Sequence, residues 1–140
     1  MLHKFLRLSS AQKRQFLQAF MFMLQVRVRL KIYSFPKFLK WYKQVNLNQS
    51  VEVKSFSDIK LAVNRAAKLL VNPKKPCLPK ALTAFKICSA NGIESSVVIG
   101  ITKELQEFKA HAWLLLDEQV VLGWLPNLHE YKELTRFEEL

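Results

Sequence analysis

The sequence predicts an α+β fold in which a helical first half is followed by one helix packed on a short antiparallel sheet. Three observations predict it. Apolar residues recur at helical spacing as far as Leu70, the run CLPKALTAFKICSA repeats that spacing, and from Ser96 the chain turns to short apolar runs of strand length. With 140 residues, half of them hydrophobic and only three Gly, the chain suits one domain over residues 1–140. It divides into a basic helical region, 1–56, and a compact core, 57–140.

The first helix opens at Ser9, whose spacing to Gln12 makes a capping box, and continues through Phe16, Leu17, Phe20, Met21, Met23, Leu24, Val28 and Leu30. Pro36 ends or kinks it, and the alternation from Arg27 to Ile32 also fits a strand, so its distal boundary is open. Residues 37–56 read as a connector with a solvated helix end; Lys37, Lys40 and Lys43 interleave with Trp41 and Tyr42, too few to mark a nucleic-acid surface. A second helix starts from an N-cap at Ser57 and carries Ile59, Ala62, Val63, Ala66, Leu69 and Leu70 on one stripe, with Asp58 in its first turn. Asn72 to Pro76 breaks it. A third helix runs from Cys77 to Ala90, with Pro79 tolerated in its first turn and Asn91-Gly92 as a left-handed stop. SSVVIGIT, AHAWLLL and VVLGW are then three strands, the first two joined by the polar connector KELQEFK and the last two by the tight link Asp117-Glu118-Gln119.

The net charge of +11 belongs to one half of the chain. Residues 1–70 hold 14 Lys/Arg against Glu52 and Asp58, a net of +12, whereas residues 71–140 hold 8 against 9. Such a face suits an acidic peptide, a protein partner or peripheral contact with an anionic membrane. No recognised nucleic-acid fold is present, so no nucleic-acid partner is expected. The uncharged run from Gln15 to Val26 is 12 residues, short of the roughly 18 that span a bilayer. No small-residue cleavage site follows, so neither a membrane span nor a signal peptide is expected. Cys77 and Cys88 lie eleven residues apart on one helix, roughly 16 Å at a rise of about 1.5 Å per residue. That is beyond disulfide reach, and both are expected as free thiols, as in a reducing cytoplasm.

On a helical wheel Cys77 heads one side of its helix with Leu78, Ala81, Leu82, Ala84, Phe85 and Cys88, opposite Lys80, Thr83 and Lys86. A thiol at a helix N-terminus has its thiolate favoured by unpaired N–H groups and by the helix dipole. The sheet available to cover this side carries His111 early in its second strand, between Ala110 and Ala112. An imidazole there completes the activation of a nucleophile, and the same N–H groups suit an oxyanion, so the pattern fits acyl transfer. Trp113 shares the strand face of His111 and is placed to wall the pair off from water. Cys88 reads as a small core hydrophobe, and His3 and His129 have no comparable placement. Cys77, Cys88, His111 and His129 lack paired-ligand spacing, so no metal site is expected.

PCLPKALTAFKICSANGIESSVVIGI, followed by FKAHAWLLLDEQVVLG, closely resembles the transglutaminase-like cysteine peptidases of bacterial lasso-peptide biosynthesis, the leader-peptidase half of the split B protein. The shared pattern is a Cys-Leu opening a helix, an Ala-Leu pair in its second turn, a Gly-Ile stop, a strand ending in Gly, and Ala-His-Ala-Trp, over residues 55–125. The resemblance implies a small transglutaminase/papain-like core over residues 57–140. It also implies Cys77 as nucleophile and His111 as the general base that takes its proton and later protonates the leaving amine. The chain departs from the family at Leu114 and Leu115, where an aliphatic residue and a Glu are usual, and at Gly123, where some members carry a triad Asp. The third member is therefore open between two candidates. Asn127 lies beyond the hairpin and is able to fold back beside the start of the strand; Asp117 is separated from His111 by six residues of strand, roughly 20 Å at about 3.3 Å each.

The resemblance implies a cytoplasmic hydrolase that cuts the leader from a ribosomally made lasso-peptide precursor, with no ATP, metal or other cofactor of its own. It further implies a separate leader-recognition protein, and an ATP-dependent macrolactam cyclase acting later in the same pathway. The residues alone leave two rivals: a transglutaminase or other acyltransferase that uses the same thiol and imidazole with an amine acceptor, and a catalytically inactive basic adaptor protein. For the peptidase, the basic face is expected to dock the acidic leader or the protein that carries it, through Arg27, Arg29 and Lys31.

Overall fold

The computed structural model describes residues 6–47, 53–70, 77–104 and 106–138. Among them, four helices precede a four-stranded antiparallel sheet: α1 Ser10–Ile32, α2 Phe35–Gln44, α3 Phe56–Leu70, α4 Cys77–Ala90, β1 Ser96–Glu104, β2 Glu107–Leu116, β3 Gln119–Leu122 and β4 Lys132–Phe137. The fold is α+β, as the sequence predicts. The expected break at Asn72 to Pro76 lies outside the described residues. No helix among those described is long and apolar enough to cross a membrane.

The capping box at Ser9 forms: its Oγ accepts from the Gln12 N–H at 3.1 Å, and the Gln12 Oε1 accepts from the Ser9 N–H at 2.9 Å. Arg27 to Ile32 continue the helix, and Pro36 falls in the first turn of α2, where no N–H is required. The apolar residues of α1 divide into two rows rather than forming one stripe. Ala19, Phe22, Met23 and Val26 are buried, whereas Leu17, Met21, Leu24, Val28 and Ile32 form a second, exposed row at helical spacing. The start of the expected connector, residues 37–44, belongs to the helix α2, and Phe38 and Tyr42, four apart, give α2 a buried side. Trp41 stacks on Phe22 at 6.0 Å and carries the Arg29 guanidinium at 4.2 Å. The aromatic residues of this segment are therefore packing residues, and Arg29 is stacked rather than free. α3 begins at Phe56, so Ser57 lies in its first turn rather than at the cap.

α4 packs against α1, α3, β1 and β2. Every residue from Ala81 to Cys88 is buried, including Thr83 and Lys86, which the wheel places on the side opposite Cys77. Ala81 and Ala84 are too small to hold neighbours off, so helices close over one side and the sheet over the other. Lys86 keeps polar company inside: its ammonium donates to the Val45 carbonyl at 2.8 Å and lies 4.7 Å over the Tyr42 ring. The Tyr42 hydroxyl in turn donates to the Leu82 carbonyl at 2.7 Å. Burial pushes Lys86 down to about 8, and burial pushes Cys88 up to about 11 against a smaller opposing pull from Ser95.

The strand order is β3-β2-β1-β4. One face, with Val97, Ala112, Leu114, Leu122 and Phe137, joins the helical core; the other carries Val98, Trp113 and Leu115 in a smaller cluster with Leu128 and Tyr131. β1 and β2 pair from Ser96↔Leu115 out to Glu104↔Glu107, so KELQEFK is largely a hairpin rather than a connector, turning at Gln106 with φ 70°. Residues 106–110 are exposed, so no apolar alternation marks that part of the strand. Asp117 and Glu118, at φ 51° and 63°, make the two-residue turn into β3.

Lys86 yields a pH test. Its folded value near 8 lies below its ordinary 10.5, so between these the unfolded chain holds a proton that the folded one lacks, and stability from this group rises with pH. Denaturant unfolding of wild type and Lys86→Met should differ increasingly in favour of the wild type as pH is raised through this window. A difference that does not change with pH contradicts the burial.

Candidate active site

Cys77 is the first residue of α4 and is partly buried. His111 alternates along β2 with Trp113 and Leu115, and so belongs to the sheet face turned away from the helices. Thiol and imidazole therefore do not meet across the helix–sheet interface. They meet at the edge of β2. β3 pairs with β2 only from Leu114 to Leu116, which leaves Ala112 beyond the end of that pairing. The Ala112 carbonyl oxygen lies 2.7 Å from where a Cβ on Gly123 would stand. The N–H and C=O of one strand residue point to the same edge, so the Ala112 N–H points there too, on the side of the Cys77 sulfur, whose thiolate form it favours.

On that edge the His111 Nε2 donates to the Gly123 carbonyl at 2.6 Å. The ring also neighbours the Cys77 thiol, closely enough for each group to shift the other's titration. Aromatic rings pack around it: Trp113 at 6.1 Å and Tyr131 at 5.7 Å between centroids, the latter two meeting edge-on at 6.3 Å. Gly100, opposite His111 in β1, makes room for this packing, since a Cβ there would stand 2.8 Å from the Trp113 Cη2.

The electrostatics follow from these contacts. Burial pushes the Cys77 thiol up, but the hydrogen bond from His111, the Ala112 N–H, the imidazolium charge and the Leu78 N–H outweigh it and hold the thiol below its ordinary value. Burial pushes His111 down, and is outweighed by the hydrogen bond to Cys77, the Gly123 carbonyl and the thiolate charge, which leave the ring above its ordinary value. Lys80, one turn along α4, is held down by burial and by the Lys60 charge, while Cys77 pulls it up. A lowered thiol beside a raised imidazole favours transfer of the proton from sulfur to nitrogen, which is what a sulfur nucleophile requires.

The structure thus brings Cys77, His111 and Trp113 together. Neither Asn127 nor Asp117 is hydrogen-bonded to the ring among the described residues. The Asn127 side chain donates to Glu130 Oε2 at 3.4 Å, and Asp117 turns the chain at the far end of β2, beside Glu118 and Arg136. Cys88 is buried in the core. Two contributors are not expected from the sequence: the Gly123 carbonyl and the Tyr131 ring. Gly123 alone carries a signal, as one of only three glycines in the chain, directly after an apolar strand.

A model of the transglutaminase-like superfamily matches residues 20–136, from within α1 to within β4. The chain belongs to the transglutaminase-like superfamily. The match takes in most of α1 as well as the sheet, so the basic helices lie largely inside the shared region. Neither a search of curated proteins nor a search of solved structures finds a match. Domains of the transglutaminase-like superfamily are typically cysteine peptidases or acyltransferases, and both chemistries begin from a thiolate beside an imidazole.

Alkylation reads this pair directly. Cys77 should react with iodoacetamide along a pH profile whose inflection lies below the ordinary 9.0 of a thiol, with Cys88 protected in the folded protein. His111→Ala should move the inflection upward. A profile that the variant leaves unchanged contradicts the pairing.

Proposed function

We propose that the protein is a cysteine peptidase that removes the leader peptide from a lasso-peptide precursor. The observation that carries the reading is the juxtaposition of the thiol that opens α4 with the His111 ring, each lowering or raising the other's titration in the sense a nucleophile and its base require, in a transglutaminase-like chain. The Cys-Leu helix opening and the Ala-His-Ala-Trp strand, in the pattern of the lasso-peptide leader peptidases, support the choice of substrate.

In this reading His111 takes the Cys77 proton, and the thiolate forms a bond to the scissile carbonyl carbon. N–H groups at the head of α4 face the developing oxyanion. Collapse breaks the C–N bond, with the imidazolium protonating the leaving amine of the core peptide. His111 then deprotonates a water that attacks the thioester, releasing the leader acid and restoring the thiol. Trp113 and Tyr131 screen the ring from bulk water while this proceeds. The freed amine is substrate for a separate ATP-dependent macrolactam cyclase, and the reaction belongs in the cytoplasm.

A separate leader-recognition protein has a suitable landing surface on α1. The exposed row Leu17, Met21, Leu24, Val28 and Ile32 runs beside Arg14, Arg27 and Lys31, and Ser10–Ile32 contains no acidic residue. An apolar seam with positive borders fits an acidic amphipathic partner.

The test is mass spectrometry of a cognate precursor incubated with its leader-binding protein and this enzyme. Cleavage at one leader–core bond is expected, falling about a thousandfold or more in Cys77→Ala. Added amine should leave the product masses unchanged; amine incorporated at the leader carboxyl would make the enzyme an acyltransferase instead. Reversal of Arg14, Arg27 and Lys31 to Glu should weaken the complex and its salt dependence while sparing Cys77 alkylation. Equal cleavage by wild type and Cys77→Ala would falsify the peptidase assignment.

A further inference from the structure

An activated imidazole needs one nitrogen free to take a proton and the other held so that the ring does not swing away. In His111 the held nitrogen is Nε2, and what holds it is a main-chain oxygen, the Gly123 carbonyl at 2.6 Å. We propose that this carbonyl is the third member of the site: Gly123 is a positioning residue that keeps Nε2 protonated and Nδ1 available to the Cys77 thiol. The proposal rests on the peptidase reading and supplies the group that the side chains do not.

A carbonyl oxygen accepts and never donates. Nε2 must therefore carry a hydrogen in the neutral ring as well as in the imidazolium, which fixes the neutral tautomer and leaves the Nδ1 lone pair as the base. Among the described residues the polar partners of the ring are the Cys77 thiol and this carbonyl, with Trp113 and Tyr131 supplying the apolar walls. A neutral oxygen also carries a smaller desolvation penalty beside a partly buried ring than a carboxylate does.

The local backbone is built for this approach. Gly123 has φ +84°, and a Cβ on it would stand 2.7 Å from the Ala112 oxygen and 3.0 Å from both Cα and Cβ of Trp113. Residue 123 thus lies directly against the backbone segment that bears His111, closer than any side chain permits. The glycine brings its carbonyl within reach of the ring, and the same crowding leaves no room at this position for an acidic side chain.

A side-chain substitution cannot delete a carbonyl, so the test replaces Trp124 with its α-hydroxy acid. The resulting ester at the 123–124 linkage weakens the Gly123 oxygen as an acceptor and keeps the exposed Trp124 side chain. The control is the same change at Leu125. The 123–124 ester should slow iodoacetamide alkylation of Cys77 at pH 7 by about three- to tenfold and raise its pH inflection, as loss of part of one hydrogen bond requires. On the precursor peptide it should lower kcat with little change in KM, and in a His111→Ala background the ester should have no effect on alkylation. Equal behaviour of the two esters, or an ester effect that persists without His111, overturns the proposal. If the alkylation results hold while wild type cleaves no precursor, the positioning role stands and the substrate assignment falls.

Discussion

The backbone of Gly123 lies against that of Ala112 and Trp113 with no room for a methyl group between them, and the remaining contacts of the site follow from this approach. It closes the edge of β2 just past the end of β3 pairing. It sets an acceptor against Nε2 of His111, so the ring, packed against Trp113 and Tyr131 on its own sheet face, is also tied to the open edge of β2. At that edge the ring neighbours the sulfur whose thiolate the Ala112 N–H also favours. Three main-chain features, two in β2 and one after β3, therefore fix where two side chains meet.

The other half of the geometry comes from α4. A helix buried all round, between α1 and α3 on one side and the sheet on the other, has little freedom to slide or rotate. Its first residue is consequently delivered to the β2 edge with the precision of the core. The internal hydrogen bonds from Lys86 to Val45 and from Tyr42 to Leu82 tie α2 to the same helix. Packing energy invested in the core thus supports the placement of the thiol, while the thiol itself stays accessible at the helix end.

Much of this is legible in the sequence, and what is not has identifiable physical causes. The limits of α4 are readable because a left-handed stop at Gly92 and a long apolar run are both local signals. Cys77 and His111 draw notice because a thiol opening a helix and a histidine inside an apolar strand are chemical anomalies, but their pairing is suggested mainly by the family resemblance. The place where they meet is hidden, since a helical wheel gives direction around one axis and says nothing about which edge of a strand is open. The role of Gly123 is hidden for a deeper reason: the group in contact is a main-chain oxygen, common to every residue. The outer part of the β1–β2 hairpin and β4 escape because their side chains are largely wet, and strand periodicity appears only where one face is dry. α2 escapes because its aromatic residues resemble an interaction surface until α1 is seen to cover them.

The central claim, a ring anchored at Nε2 by a carbonyl with Nδ1 turned to the thiol, is open to nitrogen NMR of the His111 side chain in uniformly labelled protein. The account predicts that Nε2 keeps its proton, with a downfield hydrogen-bonded resonance, across the whole pH range in which the protein is folded. It also predicts that Nδ1 alone gains and loses a proton, and that the titration of Nδ1 changes when Cys77 is alkylated. A neutral ring protonated at Nδ1, or an Nε2 proton in free exchange with water, would contradict it.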